Sequence, residues 1–102
     1  MEAIVFINVF HVEPANQQRV VELLSDITEN SVSRTPGFLS ATLHRSSDGA
    51  KVAMYARWRS YADYDAMRVD PTTSTALTEL MTIARFDPGM YEVVREFTAA
   101  AI

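Results

Sequence analysis

At 102 residues the chain has the length of one domain, since globular domains commonly run about 100–150 residues. Hydrophobic residues make up 48% and charged residues 22%, and nine Lys and Arg against thirteen Asp and Glu leave a net charge of −4; this balance argues against disorder and against a surface built to track a nucleic acid. There is no cysteine, which removes disulfide scaffolds, thiolate metal sites and cysteine nucleophiles.

Met1-Glu2-Ala3 lacks the basic start of a signal peptide. The apolar run that follows ends near residue 12, well short of the roughly 18 residues of a membrane span. The expectation is a single cytoplasmic domain over residues 1–102, with no membrane partner. Residues 3–12 are rich in β-branched and aromatic side chains and predict a strand. Ile4, Phe6, Phe10 and Val12 alternate with Val5, Ile7 and Val9, so both faces of this strand are apolar. A strand with one wet face would alternate polar and apolar residues.

Glu13-Pro14 opens a helix in which Val20, Leu23, Leu24 and Ile27 form one stripe, and Pro36-Gly37 stops it. Phe38 to Ser46 and Lys51 to Arg59 read as a hairpin around Ser47-Asp48-Gly49. Ser60-Tyr61-Ala62-Asp63 resembles a capping box starting a short helix to about Val69. Asp70-Pro71 breaks that helix, and Leu77, Leu80, Met81 and Ala84 mark a further helical stripe. Asp87-Pro88-Gly89 predicts a turn before a last strand, Met90 to Thr98.

The order is βαββαβ, the α+β ferredoxin-like plan of a four-stranded antiparallel sheet with helices on one face. A chain this short has nothing to spare for the second face, so the apolar first strand predicts a homodimer packed sheet to sheet. The alternative is a monomer with an apolar exposed sheet.

Polar residues on apolar strands carry the chemical information: Asn8, His11, Thr42, His44 and Trp58. Hairpin register decides which of them share a face. A two-residue loop separates His44 from Trp58, whereas a three-residue loop with a glycine bulge pairs His44 with Val52 and Phe38 with Trp58. The bulged register is favoured here. It gathers Phe38, Thr42, His44, Met54 and Trp58 on one mixed face, and leaves Leu39, Ala41, Leu43, Ala53 and Tyr55 as a plainer apolar face for a dimer contact. The mixed face suits a pocket for an aromatic ligand, with Leu77 and Met81 of the later helix as further lining. His44 there is either a base or a core histidine bonded to the backbone. Trp58 either stacks on a flat ligand or fills the core. Asn8 needs a partner wherever it is buried. Tyr64 and Tyr61 either reach the cavity or lie on the surface. Two histidines without ligand spacing predict no metal site, and three glycines form no phosphate loop.

The run Thr35-Pro36-Gly37-Phe38 through His44 to Asp48-Gly49, continued by Tyr55-Ala56-Arg57-Trp58-Arg59-Ser60 and the helical Tyr64, resembles the antibiotic biosynthesis monooxygenase family. The likeness spans essentially the whole chain, although Pro-Gly-Phe alone recurs widely in related dimeric barrels. It implies a ferredoxin-like homodimer that oxidises a polycyclic aromatic phenol or anthrone to a quinone with O2, using no flavin, haem or metal. By this resemblance His44, Trp58 and Tyr64 match the family's pocket His, Trp and Tyr, and Asn8 matches a polar first-strand residue. The family's better known oxygenases carry Asn four residues before the tryptophan, where this chain has Met54. Either Asn8 takes over that role, or the chain binds a related polyketide and does something else, such as cyclisation or isomerisation. A basic residue on the later helix has Arg85 as its nearest candidate. A haem-degrading relative on the same fold needs an axial His, and the position ten residues past Trp58 is Arg68.

Overall fold

A computed structural model describes residues 3–101; Met1, Glu2 and Ile102, at the ends of the expected domain, lie outside the described residues. Strands β1 (Ile4–Val12), β2 (Phe38–Arg45), β3 (Lys51–Trp58) and β4 (Ala84–Tyr91) alternate with helices α1 (Gln17–Asn30), α2 (Tyr61–Arg68) and α3 (Pro71–Met81). The sheet runs β2-β3-β1-β4, with every neighbouring pair antiparallel. This is the α+β ferredoxin-like plan expected from the sequence.

The helices form where local chemistry favours them. Val20, Leu23, Leu24 and Ile27 are buried along one side of α1, the stripe a 3.6-residue period requires. A short 3-10 turn, Pro14–Asn16, precedes that helix. Ser60 caps α2 by accepting the Asp63 N–H at 3.2 Å, while its hydroxyl donates to Asp63 Oδ2 at 2.8 Å. Asp70 ends one helix and starts the next: its Oδ1 accepts from Thr72 N–H at 3.0 Å and Thr73 N–H at 3.4 Å, with Pro71 at the first helical position. Gly37 adopts φ 85°, and a Cβ there would lie 2.4 Å from the Asp63 side chain. Only glycine lets α2 start this close to the turn.

Three expectations are corrected. The hairpin loop has four residues rather than three: Ser46 N–H bonds Lys51 O at 3.0 Å, so Ser46 pairs with Lys51. Gln17 of α1 donates from Nε2 to both Ser46 O (2.9 Å) and Lys51 O (3.0 Å), and Asp48 Oδ1 accepts the Ala50 N–H at 2.9 Å. The tertiary clamp by Gln17 thus fixes a register that turn chemistry alone leaves open. His44 pairs with Ala53 and Thr42 with Tyr55, on the face away from the helices, and a bulge between Phe38 and Ser40 restores the Phe38–Trp58 pairing. Ala41 and Leu43, expected on the apolar outer face, pair with Ala56 and Met54 and pack against the core instead.

Asp87-Pro88-Gly89 is the second correction, because these residues lie inside β4 rather than in a turn. Pro88 is tolerated since β4 is an edge strand. The expected strand Met90 to Thr98 is instead the end of β4, and residues 92–101 are outside any strand. Third, Ala84 starts β4 instead of continuing the last helical stripe, while Leu80 is fully buried and Met81 is 64% exposed.

Candidate active site

The even-numbered residues of β1 point toward the helices, and Asn8 sits among them, directly opposite Met54 on β3 and Pro88 on β4. It is only 5% exposed. A buried amide is costly unless it is bonded, and Asn8 Oδ1 accepts the Asp87 N–H at 3.1 Å. That bond orients the amide. Its nitrogen has no partner among the described residues and borders a cavity of about 330 Å³ between sheet and helices. This volume lies at the lower end of the roughly 300–1,000 Å³ typical of small-molecule sites.

The floor of the cavity is Phe6, Asn8 and Phe10 of β1, Met54 of β3, and Phe86 and Pro88 of β4. Leu24, Ile27 and Thr28 of α1 form one wall. Tyr64, Met67 and Arg68 of α2 form another, and Thr73, Leu77 and Met81 of α3 close it together with Val32. The surface is largely apolar, with a few separated polar groups: the Asn8 amide, the Tyr64 phenol, the Arg68 guanidinium and two threonines.

Tyr64 is half-buried. Its ring tilts against Phe6 at 4.9 Å and meets Trp58 edge-on at 5.9 Å. Burial raises its phenol pKa, with the charge of Arg68 opposing, so the hydroxyl is a donor at neutral pH. Trp58 is 1% exposed and lies behind Tyr64, in edge contact with Phe38 at 5.3 Å. Phe38, Trp58 and Tyr64 therefore form an aromatic row of which only Tyr64 reaches the cavity wall. Thr73 is buried, its Oγ1 2.8 Å from Ser31 Oγ, and this polar pair ties α3 to the segment after α1.

Of the residues singled out in the sequence, Asn8, Met54, Tyr64, Leu77 and Met81 border the cavity. Trp58 and Phe38 support it from behind. His44 and Thr42 do not belong to it: the one-residue shift in the hairpin puts both on the open face, exposed. Tyr61 is exposed. Arg85 is also misplaced, since it pairs with His11 on the open side of β4. The sequence reading missed Arg68, and its signal was present. It lies four residues after Tyr64 in the same helix, a spacing that puts both on one face. No imidazole or carboxylate is among the described residues lining the cavity. Among the described residues no group of His, Asp and Glu could hold a metal ion, and no helix is long and apolar enough to cross a membrane.

Sheet topology and helix placement define a ferredoxin-like domain with a cavity between sheet and helices. The model of the antibiotic biosynthesis monooxygenase family matches residues 3–77, and the chain belongs to that family. It is similar to the tetracenomycin-F1 monooxygenase of Streptomyces glaucescens, with 39% identity over 95 residues covering 93% of this chain and 85% of that protein. It is also similar to the structure of a monooxygenase from the gene ActVA-Orf6 of Streptomyces coelicolor in complex with nanaomycin D. The identity is 29% and the TM-score 0.81, over 96% of this chain and 93% of that one. SnoaB from Streptomyces nogalater, described as a cofactor-independent oxygenase, shares the fold at a TM-score of 0.77 and 20% identity, over 97% of this chain and all of that one.

Proposed function

We propose that this protein is a cofactor-independent monooxygenase that oxidises a polycyclic aromatic polyketide, a phenol or anthrone, to a quinone with O2. The observation that carries the reading is the apolar, aromatic-lined cavity with the amide nitrogen of Asn8 free at its floor. The 39% identity to a tetracenomycin-F1 monooxygenase supports it. In the balanced reaction an anthrone methylene and O2 give a carbonyl and water. The substrate, once it has lost a proton, supplies the electrons. The protein contributes a dry site, a donor from Asn8 to the oxygen that gathers charge, and the Tyr64 hydroxyl as a second donor. Trp58 acts by holding Tyr64 in place. With His44 outside the cavity, that first proton passes to water at the cavity mouth rather than to an imidazole, and a proton returns when the reduced oxygen leaves as water.

The reading includes a single cytoplasmic domain and a homodimer. Val5, Ile7, Val9, Leu39 and Tyr55 lie on or beside the helix-free face, and Leu39 and Tyr55 are 50% and 37% exposed. An apolar sheet face of this kind is stabilised by a second copy. The test is oxygen uptake by purified protein offered anthrone and naphthacenone substrates, with quinone formation followed by absorbance. Rates no higher than the uncatalysed reaction across such substrates overturn the proposal. A second reading is favoured by Met54 and by the lack of a base in the lining: the cavity binds or cyclises a related polyketide without oxygen. Ligand-induced thermal stabilisation with no oxygen consumed would select it.

A further inference from the structure

Among the described residues lining the cavity, Arg68 is the only one that is charged. No carboxylate of the lining faces it. Among the described residues its one ion-pair contact is with Asp65, 3.6 Å away on the same helix, and both side chains are 59% exposed. A pair so exposed and so long holds Arg68 weakly. Arg68 therefore lines an apolar pocket while more than half of its side chain meets solvent, one helical turn beyond Tyr64 on the same wall.

We infer that Arg68 is a specificity-determining residue that selects ligands bearing a carboxylate on the edge of the fused-ring system, with the rings inside and the carboxylate at the mouth. The inference rests on the aromatic-ligand reading of this cavity and adds the charge of the ligand to it. The placement suits the chemistry. A carboxylate deep in the apolar pocket would lose its hydration without compensation, whereas at the edge it keeps water and gains a planar two-donor partner. The chain as a whole carries −4, so a local cation also offsets long-range repulsion of an anionic ligand. A phenolate is the competing anionic source. It belongs to the reacting ring rather than the edge, and the experiment separates the two.

Binding is read from quenching of Trp58, the single tryptophan. The ligands are anthracene-2-carboxylate, its neutral carboxamide, and 2-hydroxyanthracene at a pH where it is ionised. The protein should bind the carboxylate about two- to fivefold more tightly than the carboxamide, the size expected of one solvent-exposed ion pair. Arg68→Gln should erase that preference and leave carboxamide binding unchanged; Arg68→Lys should retain part of it. Asp65→Asn, which removes the carboxylate beside Arg68, should enlarge it, and added salt should shrink it. Equal binding of carboxylate and carboxamide by the unaltered protein overturns the inference, as does a preference that survives Arg68→Gln. A preference confined to the phenolate overturns it in favour of a role at the reacting ring. Carboxamide binding without a carboxylate preference defeats Arg68 alone, whereas failure of all three to bind defeats the aromatic cavity as well. No outcome depends on oxygen consumption, so a protein that binds but does not oxidise still decides the question.

Discussion

Asn8 and Asp87 are joined by a side-chain to main-chain hydrogen bond of 3.1 Å across the β1–β4 pair. The bond satisfies a strand N–H beside Pro88, which has none to give, and fixes the amide nitrogen of Asn8 toward the cavity. One residue therefore braces the edge strand and borders the cavity. Asn8→Ala should lower stability by about 1–3 kcal/mol, because it strands the Asp87 N–H, and should also reduce oxygen uptake. Urea unfolding and oxygen-electrode rates check the two halves; a variant as stable and as fast as the parent would remove Asn8 from both roles.

The Phe38–Trp58–Tyr64 row gives a second expectation. Trp58→Ala should destabilise by about 3–5 kcal/mol, as for other buried large aromatics. Trp58→Phe should fold and yet turn over more slowly, because Tyr64 loses its edge contact. His44→Ala should change neither rate nor stability appreciably, since His44 is exposed on the other face. A large rate loss in His44→Ala would mean that the cavity between sheet and helices is not the reacting site.

Tyr64 predicts a pH dependence. Burial raises its folded pKa above the unfolded value. The phenol thus keeps its proton longer in the folded chain, and stability falls as pH climbs from the unfolded pKa through the folded one. Urea midpoints measured across alkaline pH should drop more steeply for the parent than for Tyr64→Phe. Removing the opposing charge with Arg68→Gln should deepen the drop and carry its upper end to higher pH, with the onset unchanged. Parallel curves for parent and Tyr64→Phe would show that Tyr64 is not the group responsible.

Met54 faces Asn8 directly across β1 and β3 and is 9% exposed. Met54→Asn should place a second amide at the cavity floor, costing about 1–3 kcal/mol of stability for a polar group without an assured partner. If a donor at this position assists oxygenation, turnover should rise despite that cost. Turnover equal to or below the parent's, in a variant that still folds, would count against the requirement.

The proposed dimer is checked on Val9, which pairs with Ala53 on the helix-free face. Val9→Asp should yield a folded monomer in sedimentation experiments, because a carboxylate is costly to bury in an apolar contact. A parent protein that already sediments as a monomer would refute the sheet-to-sheet contact.

Much of the fold was legible in the sequence. The α1 stripe, the Ser60 and Asp70 caps, the Pro36-Gly37 turn and the apolar first strand depend on local periodicity and capping, which act within a few residues. The site was legible where it lies on such elements: Asn8 in β1, Tyr64 in α2, Leu77 and Met81 in α3. His44 and Thr42 were misplaced because a single extra loop residue turns a whole strand over.

By itself the sequence determined the length, charge and lack of cysteine, the element order, the apolar first strand and the candidacy of Asn8, Tyr64 and Met54. Only the tertiary structure decided the register of β2, through Gln17 holding the Ser46 and Lys51 carbonyls from another element. Through that register it decided which face holds an imidazole. It also made Arg68 a cavity residue and drew Asp87-Pro88-Gly89 into a strand. Each of these depends on contacts between residues far apart in the chain, which local propensity does not encode.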